Sequence, residues 1–405
     1  MSTYDRTLSR LFALRRFGVR PGLEAISEAL ARLGNPQHAF DAIHVAGTNG
    51  KGSTSAMIES ILREGGRRTG LYTSPHLARF TERIRVRGVE IDRELVAYLH
   101  DEVTVAGPEL TFFEVVTAMA FLAFARAGVE VAVVEVGLGG RLDATNVLPR
   151  TRVSVVTGIA LEHTEVLGTT LDAIAREKAG ILRAGVPAVV GAVPDEARRA
   201  ILDVATRVGA PTRWLGVDFA AVDTSLLGAH QRRNAAVARE AVSCLPVPPD
   251  ADAIARGLAG VRWPGRLERI ADDVIVDGAH NPDGAKALAA ALPQLAAGRA
   301  IHLVVGVVED KDARALFEPL LPLAERVFVT TVPSPRARTA TSLASLLAHP
   351  RITICGDPLE AVAQARGHGA LCIVAGSLFL VGAVRAHLLG EEVDSLSAQD
   401  PAARP

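Results

Sequence analysis

Cysteine is nearly absent: three in 405 residues (Cys244, Cys355 and Cys372), an odd number with no C-x-x-C pair. That excludes a disulfide framework and a cysteine-based zinc site. Cys355 and Cys372 sit in apolar runs, the pattern of buried thiols in a reducing compartment. Net charge is missing too, with 44 Lys and Arg against 45 Asp and Glu. No global field therefore draws the chain to nucleic acid or to an anionic membrane. The longest uncharged runs, such as Ala370 to Val384, fall short of the ~20 residues of a membrane span and contain glycine and serine. Residues 1–20 are charged and amphipathic, without the apolar stretch of a signal peptide. No repeat or low-complexity block is found. The expectation is a soluble, cytoplasmic, monomeric protein with no nucleic-acid or membrane partner. At 49% hydrophobic residues, it can build two domains.

The sequence also lacks the strict phosphate-loop pattern G-x-x-x-x-G-K-[ST]. Val45 stands where the first glycine is required, and Gly52 separates Lys51 from Ser53. What stands there is nonetheless informative. The apolar run Ala42–Ala46 reads as a buried strand. Gly47, Thr48, Asn49 and Gly50 form a turn, Lys51, Gly52, Ser53 and Thr54 follow, and Met57, Ile58, Ile61 and Leu62 recur at helical spacing. Strand, glycine turn, lysine and helix is a phosphate-binding layout. Backbone N–H groups and the helix N-terminus supply fixed positive potential, Lys51 a mobile cation, and the hydroxyls can reach phosphate or Mg²⁺. The bland alternative is a flexible strand-to-helix turn.

Along the chain, residues 1–40 predict two amphipathic helices. Strands are expected at Leu71–Tyr72, Val131–Val136, Val153–Ile159 and Val186–Val190, with a small hairpin over Val86–Ile91. Helices are expected over Leu95–Val105, from Thr111 (as a cap) to Ala127, over Leu171–Leu182, and over Ala229–Ser243. The near-continuous apolar strands predict a mostly parallel α/β sheet. Trp263-Pro264-Gly265 reads as a linker, after which strands at Val274–Val276, Ile301–Val308, Val327–Val332, Ile352–Cys355 and Leu371–Ala375 form a second, smaller α/β series. The predicted organisation is an N-terminal ATP-binding domain over 1–263, a C-terminal α/β domain over 264–390, and a disordered tail over 391–405. Lys51, Ser74, Glu135, His163, Asp277, His280 and Asp310 all follow strands, where ligands bind in open α/β sheets.

Four segments carry a resemblance: the Gly47–Thr54 loop, Ser74-Pro75-His76-Leu77, Glu135 to Asn146, and Asp277-Gly278-Ala279-His280-Asn281-Pro282. Together they resemble folylpolyglutamate synthase/dihydrofolate synthase, a branch of the Mur ligase superfamily, over residues 4 to 388. The family's loop has the G-T-N-G-K-G-S form, which accounts for the departure from the strict pattern. The resemblance implies a two-domain Mur-ligase-like fold and an ATP-dependent amide ligase. Such an enzyme adds L-glutamate to dihydropteroate or to reduced folate (poly)glutamates through an acyl phosphate.

The resemblance also implies roles. Gly47, Thr48, Asn49, Gly50, Lys51, Gly52, Ser53 and Thr54 would hold the ATP phosphates. Asn234, Arg266 and Asp277 would contact the nucleotide. Ser74, Glu135 and His163 match the family's Mg²⁺ ligands. Lys178 matches a carbamylated lysine, and with Lys51 and His280 makes up the catalytic set. Thr111, Phe112, Phe113, Glu114 and Leu142 match the pterin-side segment. Taken alone, Lys178 is an ordinary helix lysine, Asn234 a helix-surface amide, Asp277 and His280 turn-forming residues, and Phe112 and Phe113 core residues. Glu162 stands where many members carry aspartate. The competing readings are a Mur-type ligase acting on a cell-wall nucleotide peptide, a P-loop kinase or NTPase switch, and a non-enzymatic nucleotide-binding protein.

Overall fold

The computed structural model describes residues 2–14, 22–367 and 369–394. Among these, two separate sheets form. The first comprises β1 (Asp41–Ala46), β2 (Thr69–Tyr72), β3 (Ile84–Val86), β4 (Val89–Glu90), β5 (Val131–Glu135), β6 (Thr151–Val156), β7 (Ala188–Val190) and β8 (Thr212–Trp214), in the order β4-β3-β2-β5-β1-β6-β7-β8. Only β3 runs against the rest, antiparallel to β2 on one side and to β4, its partner in the predicted hairpin, on the other. The second comprises β9 (Glu268–Ala271), β10 (Val274–Val276), β11 (Ile301–Val305), β12 (Arg326–Val329), β13 (Ile352–Ile354) and β14 (Leu371–Ala375), in the order β13-β12-β11-β14-β10-β9, with β9 alone antiparallel. The expected mostly parallel α/β architecture is what the chain adopts. Buried on both faces, β1, β5, β11 and β14 are almost wholly apolar, as central parallel strands must be.

The strand order positions the site. β5, β1 and β6 are neighbours, so the loops leaving Glu135, Ala46 and Val156 meet at one edge of the first sheet. β11, β14 and β10 are neighbours in the second, so the loops leaving Val305, Ala375 and Val276 also meet. The helix Lys51–Glu64 packs on the first sheet with the helices Ala229–Ser243 and Ala251–Gly260, through Met57, Ile58, Ile61, Ala235 and Leu258.

Several elements depart from the sequence expectation. The helices Asp195–Val208 and Ala251–Gly260 and the strands β8 and β9 have no counterpart in it. The two helices bury faces built largely of small residues (Ala197, Ala200 and Ala205 in one, Ala253 and Gly257 in the other), and β8 and β9 are short edge strands. The helix predicted to Leu182 stops at Ala179, with Gly180 against Arg141: a Cβ on Gly180 would lie 2.3 Å from the Arg141 Cβ. The tail is a correction. Residues 391–394 are not disordered but lie across the first domain. The Asp394 carboxylate accepts from the Tyr4 hydroxyl at 2.8 Å and from the Phe80 N–H at 2.6 Å. Arg79 and Arg93 pair with Glu391 and Glu392. The charges that gave this stretch its disordered composition are those the first domain neutralises. Residues 395–405 lie outside the described residues.

Candidate active site

The two loop clusters face each other across a cleft of about 890 Å³. On the first domain, β1 ends at Ala46 and the chain turns through Gly50, whose φ of 89° favours glycine, into the helix beginning at Lys51. Thr48, Asn49, Gly50, Lys51, Gly52 and Ser53 line the cleft. Gly47 lies beneath them and offers its carbonyl to two amines, Lys51 Nζ at 3.1 Å and Lys178 Nζ at 2.8 Å. Lys51 also donates to the Thr48 carbonyl at 3.1 Å. Thr54, expected to reach phosphate, is fully buried and does not line the cleft. One residue further along the helix than Ser53, it faces the interior.

Beside the loop stands the helix Ala229–Ser243. Asn234 lines the cleft as expected. Gln231, which the sequence reading passed over, is buried and bridges Ser53 Oγ (3.2 Å) to Asn234 Nδ2 (3.0 Å). The only sequence signal for it was its place one helical turn before Asn234.

Ser74, Glu135 and His163 come to the same cleft from the ends of three chain segments. The Ser74 N–H donates to Glu135 Oε2 at 3.3 Å. His163 has a left-handed backbone (φ 53°) at the start of a short helix, an uncommon conformation for a non-glycine residue. Burial, helped by the charges of Lys311, Lys51 and Lys178, pushes its imidazole down to about 4. It is therefore neutral near pH 7, with a ring nitrogen able to act as a ligand. Among the described residues no cluster of three or more His, Cys, Asp or Glu side chains could hold a metal. A divalent cation here would combine the Ser74 hydroxyl and Glu135 with His163 and with ligand oxygens. That donor set fits a hard, partly substrate-ligated ion.

Lys178 is 4% exposed. Burial, with the neighbouring Lys51 charge, pulls its amine down to about 7. The loop after β5 packs directly on its helix: a Cβ on Gly140 would lie 2.8 Å from the Lys178 carbonyl oxygen. In that loop Asp143 is buried, accepting from the Leu138 N–H at 2.8 Å and the Thr145 N–H at 3.0 Å.

On the second domain, Asp277, His280, Arg266 and Lys311 line the cleft. The Asp277 oxygens accept from the N–H groups of Leu267 (2.8 Å) and Ala279 (2.9 Å), bracing the linker against its own turn. His280 Nδ1 donates to the Gly278 carbonyl at 2.7 Å, and its Nε2 faces Glu162 of the first domain at 3.4 Å. Lys311 Nζ lies 3.4 Å from the same carboxylate. Although burial opposes its charge, these two groups hold Glu162 well below the usual carboxylate range. A second bridge joins Asn49 to Asn281 and to Asp283 (2.9 Å). Glu162 and Asn49 are thus where the two domains touch at the cleft.

The pterin-side segment divides. Thr111 caps the helix Phe112–Arg126, and Glu114 Oε2 accepts from its N–H at 2.8 Å. Thr111, Phe113, Glu114 and Leu142 line the cleft. Phe112 does not: it is 1% exposed in the core, 5.8 Å from Phe12 and 5.5 Å below the Arg83 guanidinium. Successive helix residues point about 100° apart, so two adjacent phenylalanines cannot share one face.

Two family models match this chain: the Mur ligase middle domain over residues 45–207 and the Mur ligase glutamate ligase domain over residues 265–378. A relative named dihydrofolate synthase/folylpolyglutamate synthase, from Bacillus subtilis, is 34% identical over 96% of this chain and 99% of its own length. The chain belongs to the folylpolyglutamate synthase/dihydrofolate synthase family. A solved structure of this family, E. coli FolC in complex with DHPP and ADP, superposes with a TM-score of 0.88 at 33% identity, covering 95% of this chain and 98% of that one. A relative from Halobacterium salinarum named a probable bifunctional folylpolyglutamate synthase/dihydropteroate synthase is 38% identical over 94% of this chain. The chain spans about half the length of that relative (51%). Relatives carrying folate-ligase names do not favour the cell-wall ligase reading.

Proposed function

We propose that the chain is an ATP-dependent ligase that forms an amide between L-glutamate and dihydropteroate, or between L-glutamate and folate (poly)glutamates, or both. The observation that carries this reading is the meeting of the Gly47–Ser53 loop with the Asp277–Asn281 loop across one cleft. A phosphate cradle on one domain thereby faces a polar cluster on the other. A carboxylate is a poor electrophile, so a carboxylate oxygen of the acceptor first attacks the γ-phosphorus and ADP departs. The glutamate amine then attacks the acyl carbon, and the C–O bond to phosphate breaks. The protein's part is positioning and charge neutralisation. Loop N–H groups and Lys51 face the phosphates, while Asn234, Arg266 and Asp277 frame the nucleotide. Phe113 and Leu142 offer an apolar face to a flat heterocycle.

Mg²⁺ would be held by Ser74, Glu135 and His163, and when bound offsets phosphate charge. Carbamylation of Lys178 is supported by its burial and by an amine near neutrality, whose unprotonated form adds CO₂ with loss of one proton. His280 orients the second domain through Glu162. Three free cysteines, two of them buried, support a reducing, cytoplasmic setting. Among the described residues no helix is long and apolar enough to cross a membrane, and we take the enzyme to act as a monomer.

The test is phosphate release with ATP, Mg²⁺ and glutamate, with dihydropteroate, a reduced monoglutamate folate, or no acceptor. Stimulation by both acceptors means a bifunctional enzyme, and stimulation by the folate alone a tail-extending one. Equal ATP hydrolysis in all three arms overturns the proposal.

A further inference from the structure

We infer that Gln231 is a positioning residue that sets which purine the nucleotide site accepts, by fixing the orientation of the Asn234 amide. The inference rests on the ATP-ligase reading above and deepens it. Gln231 is 1% exposed, on the first turn of the helix Ala229–Ser243, between two groups that line the cleft. Its Nε2 donates to Ser53 Oγ at 3.2 Å, and its Oε1 accepts from Asn234 Nδ2 at 3.0 Å. Asn234 Oδ1 takes no hydrogen bond from a protein group among the described residues. It lies against the loop, where a Cβ on Gly50 would come within 2.7 Å of it.

The polarity of this chain decides the amide orientation. A serine hydroxyl carries one proton, and a phosphate oxygen of a nucleotide can only accept. Once Ser53 donates to phosphate, its oxygen can only accept from the protein, so Gln231 must present Nε2 to it. Gln231 then presents Oε1 to Asn234, and only Nδ2 can answer. Asn234 is left with Oδ1 and its second Nδ2 proton for the base. An acceptor beside a donor matches the N6 amino group and N7 of adenine. Guanine places its O6, an acceptor, against Oδ1, leaving two acceptors opposed. Phosphate and base are thus coupled through one buried side chain. Were Gln231 merely filling space, its loss would weaken all nucleotides alike.

The experiment is calorimetric binding of ATP and of GTP, with Mg²⁺ and no folate, to the full chain and to Q231M and Q231E. Methionine keeps the length and removes both hydrogen bonds. Glutamate keeps an acceptor toward Asn234 but cannot donate to Ser53. The wild type is expected to prefer ATP. Q231M should lower the ATP-to-GTP affinity ratio by about tenfold, the worth of one discriminating hydrogen bond. Q231E should weaken both nucleotides and keep the ratio within about threefold. A wild-type ratio in Q231M overturns the inference and leaves the nucleotide site standing. A collapsed ratio in Q231E also overturns it, and decides the matter alone should Q231M not fold. A wild-type protein that binds neither nucleotide overturns the ATP reading itself.

Discussion

Two lysines share the Gly47 carbonyl, and their difference is set by burial. Lys51 stands in the cleft and Lys178 beneath it, where burial drives the Lys178 amine toward the neutral form. Lys51→Ala should leave the fold intact by circular dichroism and lower kcat by about a thousandfold or more, because no other side chain on the loop carries charge to the phosphates. For Lys178 the sign is fixed by its amine near 7: carbamylation needs the unprotonated form, whose fraction grows as pH rises through that value. Ligase activity at limiting bicarbonate should therefore rise between about pH 6 and pH 8. Added bicarbonate should shift the rise to lower pH. Lys178→Arg, permanently charged, should lose about a hundredfold in kcat and show no bicarbonate response. A bicarbonate-independent profile identical in the two proteins would count against carbamylation.

At the scale of elements, the cleft is shaped by close approaches that only glycine permits. The loop after β5 passes under the start of the helix Phe112–Arg126, and a Cβ on Gly137 would lie 2.3 Å from the Phe113 Cζ. Gly137→Ala must push the Phe113 ring away from the loop. If that ring stacks on the pterin, the KM for the folate acceptor should rise about tenfold while the KM for ATP stays put. Steady-state kinetics with each substrate varied in turn separates the two. The same helix start explains why the Thr111-to-Glu114 segment divides. Its cap and capping carboxylate are legible from residue type and spacing, but which phenylalanine faces the cleft depends on where the sheet and the helix Thr3–Ala13 lie. A core ring and a ligand-facing ring are chemically identical in sequence.

The whole molecule is held together at points that lie far apart in the chain. Glu162 and Asn49 join the domains at the cleft, while the last described residues join them on the other side of the linker. Arg385 pairs with both Glu268 and Glu391, and Arg79 links Glu391 to Glu90. Asp394 then closes onto Tyr4 and Phe80 of the first domain. Asp394→Ala leaves the buried Phe80 N–H and Tyr4 hydroxyl without that partner, at a cost of about 2 kcal/mol. The urea midpoint should fall accordingly, with far-UV circular dichroism of the native protein unchanged. An unaltered midpoint would show that this contact adds nothing to stability.

The amino-acid sequence by itself determined the local chemistry. The strand–glycine–lysine–helix order set the Gly47–Ser53 loop, apolar strands set two mostly parallel sheets, and strand-end polar residues marked the cleft. Each of these signals is short-range, carried by periodicity or by neighbours within a turn. The tertiary structure alone decided what depends on packing between distant segments. It turned Thr54 and Phe112 into the core and Ser53 and Phe113 toward the cleft. It buried Lys178 deeply enough to bring its amine near neutrality. It placed Gln231 between Ser53 and Asn234, set Glu162 against His280 and Lys311, and drew residues 391–394 from an apparent tail onto the first domain. Burial and pairing across more than a hundred residues are properties of the assembled sheets. Composition cannot encode them, because the same glutamate or lysine is solvated in one setting and desolvated in another.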